Sequence, residues 1–290
     1  MANSLYRVLL LLAAVAGFAP TLALAGGNDR QVAKLTAFGG ACPRCELSGR
    51  KLAGAHFIGA DFAGAALVGS DLREARFLGS SFAKADLSRA DLSDAVIFGA
   101  TFSGANLAHA RLRSTEAKGA TFENANLAGA DLRDASAAGA SFERANLSAA
   151  SFRSADMQGV NLNRADARGA DFGEAALTGA VLSGGRFDHV SFRNAELIGA
   201  ILTGGSFEGA DFKGAAMRQT VIAGADLLHA RGLEQDQVDE ACGDARTRLP
   251  AGLLMHSCSS LRVIIRQAGP ASWPAPPNPP APPPPEPRRR

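Results

Sequence analysis

Two cysteines three residues apart, Cys42 and Cys45 in the stretch Cys-Pro-Arg-Cys, are the first residues of this sequence that could carry out chemistry. A Cys-x-x-Cys pair can be a redox site, part of a metal site or a structural disulfide. Redox activity of the thioredoxin type needs a helix N-terminus that lowers the pKa of one thiol. Here an apolar five-residue rhythm begins immediately after Cys45, so the sequence favours a structural role.

Motifs that would carry catalysis are absent from the 290 residues. The sequence contains no phosphate-binding Gly-x-x-x-x-Gly-Lys-Ser loop, no His-Glu-x-x-His and no Gly-x-Ser-x-Gly. Its many glycines instead recur at one position of the rhythm, as expected for turns. We therefore predict a protein that is not an enzyme and uses no cofactor.

The elements that must position these residues follow a period of five. From Leu47 to Leu227 every fifth residue is large and apolar, giving 37 pentads in which only Ala117, Ala137 and Ala167 weaken the large position. A small residue, usually Ala, stands two residues before each large one. This period fits neither a helix nor a flat strand. We expect the large and the small residue to point inward, with a turn every five residues.

The pattern A-(D/N/S)-(L/F)-x-x, plain in ADLSRADLSDA and ANLAGADLRDA, resembles the pentapeptide-repeat family over about Cys45 to Ala230. The resemblance implies an all-β solenoid, a right-handed quadrilateral β-helix with five residues on each side and four sides per coil. At four pentads per coil the repeat forms about nine coils. With ~4.8 Å between coils, the rod is roughly 43 Å long, and its two ends require short caps.

Residues 20 apart should stack in such a rod. Phenylalanines keep this spacing in two long columns, so the aromatic column is expected to change sides near the middle. The columns are Phe62, Phe82, Phe102, Phe122 and Phe142, followed by Phe152, Phe172, Phe192 and Phe212. The same geometry separates His109, His189 and His229 by about 19 and 10 Å, too far to share one metal ion. No metal site is predicted.

The amino-terminal segment, residues 1–25, has the composition of a secretory signal peptide. Arg7 is followed by the apolar run VLLLLAAVAGF and by Ala-Leu-Ala, which predicts cleavage after Ala25. The apolar run is shorter than the ~20 residues of a membrane span, so no stable span is expected after cleavage. Export predicts a periplasmic or secreted protein in an oxidising compartment, where cysteines form disulfides.

The rest of the chain divides into four segments. Beyond Leu227 the rhythm stops, and Val238 and Ala241 lie at helical spacing ahead of Gly243. This spacing predicts a short helix at about 234–242, laid over the last coil. The predicted segments are an N-terminal cap (26–45), the repeat (46–231), a C-terminal cap with a helix and a disulfide (232–268) and an extended Pro-rich tail (269–290).

The four cysteines permit three pairings. The predicted rod keeps the two cysteines before the repeat roughly 43 Å from the two after it, whereas Cα atoms joined by a disulfide lie within about 7 Å. Only Cys42 with Cys45, and Cys242 with Cys258, meet that limit. We expect these bonds to fasten the two ends of the solenoid.

Stacking also predicts two apolar columns on the outer faces, each of which requires a cover. Their residues are Ile58, Leu78 and Phe98 near the N-terminal end, and Val181, Ile201 and Val221 near the C-terminal end. We expect residues 28–41 to cover the first column and Leu261–Ile265 to cover the second. A homodimer interface or a surface for a partner is the alternative for both.

A third column places basic residues in line with carboxylates. This arrangement predicts a face of solvated salt bridges, which is also a candidate docking surface. Its arginines include Arg113, Arg133, Arg153 and Arg193.

Two functions remain for such a chain. The export signal and the resemblance predict a non-enzymatic scaffold that binds a protein or an envelope surface and no nucleic acid. Some family members imitate B-DNA with an acidic rod and bind DNA gyrase, which is the alternative. The repeat from Leu47 to Arg231 holds 20 acidic and 19 basic residues, and a balanced surface does not resemble a polyanion. The sequence therefore favours the exported scaffold.

Overall fold

The computed structural model describes residues 36–38 and 40–255. Within these residues, three short strands form one parallel sheet, and one helix follows the repeat. Between them the chain pairs through single-residue parallel bridges instead of longer strands. The named elements are β1 (Thr36–Phe38), β2 (His56–Ile58), β3 (Arg76–Leu78) and α1 (Gln235–Glu240).

Each bridge of the repeat joins residues 20 apart, and a new bridge occurs at every pentad. The backbone N–H of Phe62 donates to the carbonyl of Ser81 in the next coil at 2.7 Å, and the N–H of Ala65 donates to the carbonyl of Phe62 at 3.0 Å. The first bond stacks the coils and the second closes a turn. Because these two hydrogen bonds recur at each pentad, they satisfy the backbone polar groups of a four-sided coil.

The four sides are named here by their inward large residues. Side A contains Phe62, side B Leu67, side C Leu72 and side D Phe77, each with the residues at multiples of 20 from it. These positions and the small residues two before them are almost entirely buried, as the five-residue rhythm predicts. The buried hydroxyls at small positions of the described coils all form hydrogen bonds; they belong to Ser70, Ser80, Thr115 and Thr220.

Phenyl rings stack along the axis of the rod. On side A, successive rings from Phe62 to Phe142 are parallel, with centroids 4.7 to 5.1 Å apart. Phe142 then meets Phe152 on side C edge to face at 5.7 Å, and Phe152 stacks on Phe172 at 4.7 Å. The expected change of sides in the aromatic column is therefore present, and the two stacks contact each other where it occurs.

The corners of the coil use a left-handed backbone conformation. At each corner from Arg44 to Gly224 one residue has φ near +60°, and it is often glycine, which adopts this conformation without a steric penalty. Many other residues of the described coils also adopt positive φ, among them Arg44, Glu74 and Ala149. Because each costs roughly 1 kcal/mol or more, the stacked neighbours must hold these corners in place.

At the N-terminal end, the ladder begins earlier than the predicted boundary at residue 46. Strand β1 pairs with β2 in the same register as the coils, with Phe38 opposite Ile58. Gly40 accepts a hydrogen bond from the N–H of Asp61 at 2.8 Å. This part of residues 28–41 therefore adds a further rung to the coil and does not lie over the first apolar column.

At the C-terminal end, the chain completes another coil in which α1 takes the place of one side. The N–H of Gln219 donates to the carbonyl of Glu240 at 2.8 Å. Val221 then bridges to Cys242 and Asp226 to Arg248, so the spacing between bridged residues is slightly longer than within the repeat. The short helix expected near 234–242 is present as a side of this coil and does not lie on top of it.

Helix α1 is attached to the preceding coil through one glutamine and one valine. The Gln237 side-chain amide donates to the carbonyls of Phe212 and Ala215, at 2.9 and 2.8 Å, and its oxygen accepts from the N–H of Glu234 at 2.8 Å. Val238 is completely buried. These contacts position a six-residue helix that would be too short to form alone.

Several predicted features lie outside the described residues. They are the signal peptide (1–25), most of the N-terminal cap, Cys258, the segment Leu261–Ile265 and the Pro-rich tail (269–290). Among the helices of residues 40–255, none has the length and apolar character needed to cross a membrane.

Candidate interaction surfaces

Side C carries the arginines predicted to form a salt-bridged face. The guanidinium of Arg73 makes two hydrogen bonds to the carboxylate of Asp71, at 2.8 and 2.7 Å. Arg133 binds Asp131 in the same way, at 2.8 and 2.5 Å. These pairs join residues two apart in one coil, where the carboxylate stands before the inward leucine and the arginine after it.

Other arginines of side C reach into the next coil. The guanidinium of Arg113 contacts a carboxylate oxygen of Asp134 at 3.1 Å, and Arg193 contacts Asp211 at 2.7 Å. Arg153 is paired with Glu174. All four arginines predicted from the sequence are thus paired with carboxylates of this chain.

The electrostatic effect of these pairs is local. Hydrogen bonds from Arg73 and Arg133 hold the pKa of Asp71 and Asp131 below the ordinary value for aspartate. About half of each arginine side chain is exposed, and exposed ion pairs contribute little to stability. A partner binding to side C would have to desolvate charges that already have partners, so this side is an unfavourable docking surface.

The first apolar column runs along side D and is accessible in the described structure. Ile58 is 43% exposed and Phe98 is 36% exposed, with the half-buried Leu78 between them. Corner glycines follow these residues, including Gly59 and Gly79, and a Cβ at either would meet no atom within 4 Å. A partner can therefore approach this column closely. We refer to Ile58, Leu78 and Phe98 as the side D stripe.

The second apolar column lies on side A and is less accessible. Val181 and Ile201 are half-buried. Val221 is only 9% exposed, so the expectation that it lies on an outer face is wrong. The rung that follows Val221 belongs to the irregular last coil, where the buried Cys242 is its bridge partner, instead of to another pentad. Its predicted cover, Leu261–Ile265, lies outside the described residues.

The structure brings Cys42 and Cys45 together as a disulfide-bonded pair with Cα atoms 5.4 Å apart. Cys42 occupies the inward large position of side A, one coil before Phe62, and Cys45 the next small position. The N–H of Cys45 donates to the carbonyl of Cys42 at 3.2 Å, in the same kind of turn that closes the other corners. Cys242 is buried and disulfide-bonded, while Cys258 lies beyond the described residues.

A ladder of amide side chains on side B was not predicted. The Nδ2 of Asn146 donates to Asn126 at 3.0 Å, Asn126 donates to Asn106 at 3.1 Å, and Asn106 donates to the carboxylate of Asp86 at 3.0 Å. Each acceptor oxygen also accepts a backbone N–H two residues later in its own coil. The recurrence of asparagine once per coil on this side is the signal that could have revealed this ladder.

The three histidines His109, His189 and His229 lie in separate coils. Nδ1 of His229 lies 2.7 Å from Glu208. A Cβ at Gly129 would lie 2.6 Å from Nδ1 of His109, and one at Gly209 would lie 2.5 Å from Nδ1 of His189, so these two rings extend over the next coil. In residues 40–255, no group of three or more potential ligands is placed to hold a metal ion.

Comparison with known structures finds similar solenoids. HetL, a pentapeptide repeat protein involved in heterocyst differentiation regulation in the cyanobacterium Nostoc sp. strain PCC 7120, is 29% identical; the match covers 74% of this chain and 92% of HetL, with a TM-score of 0.62. A pentapeptide repeat protein of the Arabidopsis thaliana thylakoid lumen is 30% identical, over 48% of this chain and 82% of that one, with a TM-score of 0.27.

QnrB1, a plasmid-mediated fluoroquinolone resistance protein, is 22% identical over 72% of this chain and 94% of its own, with a TM-score of 0.21. The likeness to HetL supports the right-handed quadrilateral β-helix that the repeat pattern implies. No curated protein matches the sequence significantly.

The family model for pentapeptide repeats matches the sequence in eight copies. The matched residues are 44–79, 75–114, 118–153, 145–184 and 175–214. These ranges cover more than half of the chain and coincide with the coils described above. The protein belongs to the pentapeptide-repeat family.

Proposed function

We propose that this protein is an exported, non-enzymatic scaffold: a rigid rod that binds a protein partner through the side D stripe. The observation that carries the proposal is the contrast between two outer faces. The predicted arginines of side C are neutralised by carboxylates of the same chain, whereas Ile58 and Phe98 leave apolar surface open to solvent. Burial of apolar surface is the main source of affinity in protein association.

A scaffold role also agrees with the interior of the rod. Leucine, phenylalanine and alanine side chains fill it, and in the described part of the chain no buried polar side-chain atom lacks a hydrogen bond. An enzyme or a small-molecule site requires polar groups that converge in a cavity. The outer faces are therefore the surfaces on which a function can reside.

The residues beside the side D stripe indicate the chemistry of its partner. Arg76 is exposed, stands two residues before Leu78, and has no carboxylate partner among the described residues. His56 stands in the same position before Ile58. The surface thus fits a protein with an apolar ridge flanked by a carboxylate, which would pair with Arg76.

Export is the second part of the proposal and is supported by the amino-terminal sequence and the bonded Cys42–Cys45 pair. Recovery of the mature protein from outside the cytoplasm, with its cysteines oxidised, is the expected result. The alternative, binding to DNA gyrase, requires a cytoplasmic protein. Cytoplasmic protein with free thiols that alters gyrase supercoiling activity would favour that alternative.

The test of partner binding replaces two residues of the stripe. Ile58→Asp with Phe98→Asp places carboxylates on the stripe without touching the core. Gln158→Asp changes an exposed residue of the same column three coils away and is the matched control. Loss of two buried apolar side chains should weaken binding more than tenfold, since each contributes about 1.5 kcal/mol or more.

A further inference from the structure

The second apolar column lies beside an uncharged corner between sides D and A. Val181 and Ile201 are half-buried there, and Ile198 adds another half-buried apolar side chain on the other side of the corner. A Cβ at Gly179 or Gly199 would meet no atom within 4 Å. Side A carries only serine, threonine and glycine as its other outward residues in these two coils. Side A is therefore uncharged over these two coils, and an apolar segment could pack on it; the exposed Arg218 lies in the next coil, beside Val221.

The described chain ends at the same end of the rod as this column. Cys242 pairs with Val221 on the last rung of side A. The sulfur of Met255 packs against Gly243, where an added Cβ would lie 2.6 Å from it. The residues that follow Met255 therefore begin at the C-terminal end of the column formed by Val181, Ile201 and Val221.

We propose that the segment Leu261–Ile265 of this chain covers the second column and is held there by a disulfide between Cys242 and Cys258. Cys242 is disulfide-bonded, while Cys42 and Cys45 are bonded to each other. Since the chain has four cysteines, Cys258 is the one that remains.

The tether has the required length. A disulfide holds the two Cα atoms within about 7 Å, and the three residues from Cys258 to Leu261 span at most about 10 Å. The half-buried part of the column, from Val181 to Ile201, extends over one coil spacing, about 4.8 Å, and an extended strand from Leu261 to Ile265, about 13 Å long, is long enough to cover it. Leu261, Val263 and Ile265 alternate along such a strand, so one of its faces is apolar.

A segment of the same chain should occupy the column more readily than a second copy does, because the tether raises the segment's effective concentration. A short tether gives an effective concentration of about a millimolar, which a second copy reaches only at very high protein concentration. The inference is independent of partner binding at the side D stripe, because it concerns another face at the other end of the rod.

Site-specific photo-cross-linking of the full mature chain tests the proposal. A benzophenone amino acid replaces Thr203, an outward residue beside Ile201; the control probe replaces Ser103, at the same position of side A five coils earlier. We expect monomers carrying the probe at 203 to be cross-linked to residues 261–265. The yield should be at least about tenfold above that of the control, as expected for a tethered contact.

A second comparison identifies the side chains responsible. Val263→Asp with Ile265→Asp should reduce the cross-link about tenfold, because carboxylates cannot be buried against the column. Arg262→Asp, in the same segment, should leave the yield unchanged. Cross-linking to a second copy, cross-linking to a different segment, or a yield equal to that of the Ser103 control would overturn the proposal.

Discussion

Two inward positions that normally hold alanine are occupied by Gly185 and Gly205. Each stands two residues before a phenylalanine of side B. A Cβ at Gly185 would lie 2.5 Å from Cε2 of Phe187, and one at Gly205 would lie 2.8 Å from Cε2 of Phe207. The rings therefore occupy the space of the missing methyl groups. Side-chain sizes are thus matched within each of these pentads, with glycine at the small position and phenylalanine at the large one.

This match predicts coupled effects on stability. Gly185→Ala should lower the free energy of unfolding by about 2 kcal/mol through overpacking against the ring. Phe187→Leu alone should lower it by about 1 kcal/mol through loss of ring contacts. The double variant restores the ordinary Ala-x-Leu pentad, so it should be more stable than the sum of the two losses predicts. Urea denaturation measures all three, and strict additivity would contradict the account.

The charge pairs of side C predict a pH dependence with a definite sign. Hydrogen bonds from Arg133 lower the pKa of Asp131, so this pair stabilises the fold above the unfolded pKa of aspartate, about 3.9. The contribution is lost as the pH falls through the lowered pKa. Arg133→Gln should therefore reduce stability slightly at about pH 7 and have almost no effect at about pH 2.

Denaturation midpoints at the two pH values measure this difference. Arg218→Gln is the control, because Arg218 is exposed and the described residues offer it no ion-pair partner. A loss of equal size at both pH values would mean that Arg133 acts through packing of its side chain and not through Asp131.

At the scale of elements, the Asn ladder of side B links coils that otherwise contact through backbone and core. Asn126 both donates to Asn106 and accepts from Asn146. A carboxylate at this position could not donate and would face the oxygen of Asn106. The ladder thus requires amides, although the family pattern permits aspartate at the same position.

We expect Asn126→Asp to lower the free energy of unfolding by about 1–2 kcal/mol, the cost of broken, partly buried hydrogen bonds. Asn163→Asp makes the same change at a residue outside the ladder and should remain within about 0.5 kcal/mol of the parent. Thermal unfolding at neutral pH compares the two variants. Equal effects would show that the ladder does not contribute to stability.

Helix α1 shows where prediction from the sequence reaches its limit. Spacing predicted that a helix exists near 234–242, but not that it forms a side of a coil. The bridges to Cys242 and Arg248 depart from the register of the repeat, so the pentad rhythm disappears from the sequence while the backbone ladder continues. Periodicity can therefore identify regular coils but not a coil in which one side has been replaced.

At the scale of the whole molecule, the register of the coils determines most of what could be predicted about the surfaces. It placed Ile58 and Phe98 together on an exposed face, and it aligned the arginines of side C. The register predicted the wrong exposure for Val221, because the burial of this residue depends on the irregular last coil. The partners of Arg113 and Arg153 in the next coil also depend on side-chain conformations that the register does not specify.

A rod of this kind transmits few constraints along its length, since each coil contacts only its neighbours. Two ends with different surfaces can therefore have different roles. We infer that the N-terminal coils present the side D stripe to a partner, while the C-terminal coils bind a segment of their own chain. Substitutions in the side D stripe should leave packing on the second apolar column unaffected, and substitutions in that column should leave partner binding unaffected.

The central claim is tested most directly by partner binding of the exported mature protein. Wild type, Ile58→Asp with Phe98→Asp, and Gln158→Asp are purified from outside the cytoplasm, and the proteins bound to each are quantified by mass spectrometry. The account predicts one partner that is retained by wild type and Gln158→Asp and reduced more than about tenfold by the double variant. Equal retention by all three proteins, with the fold intact by circular dichroism, would contradict it.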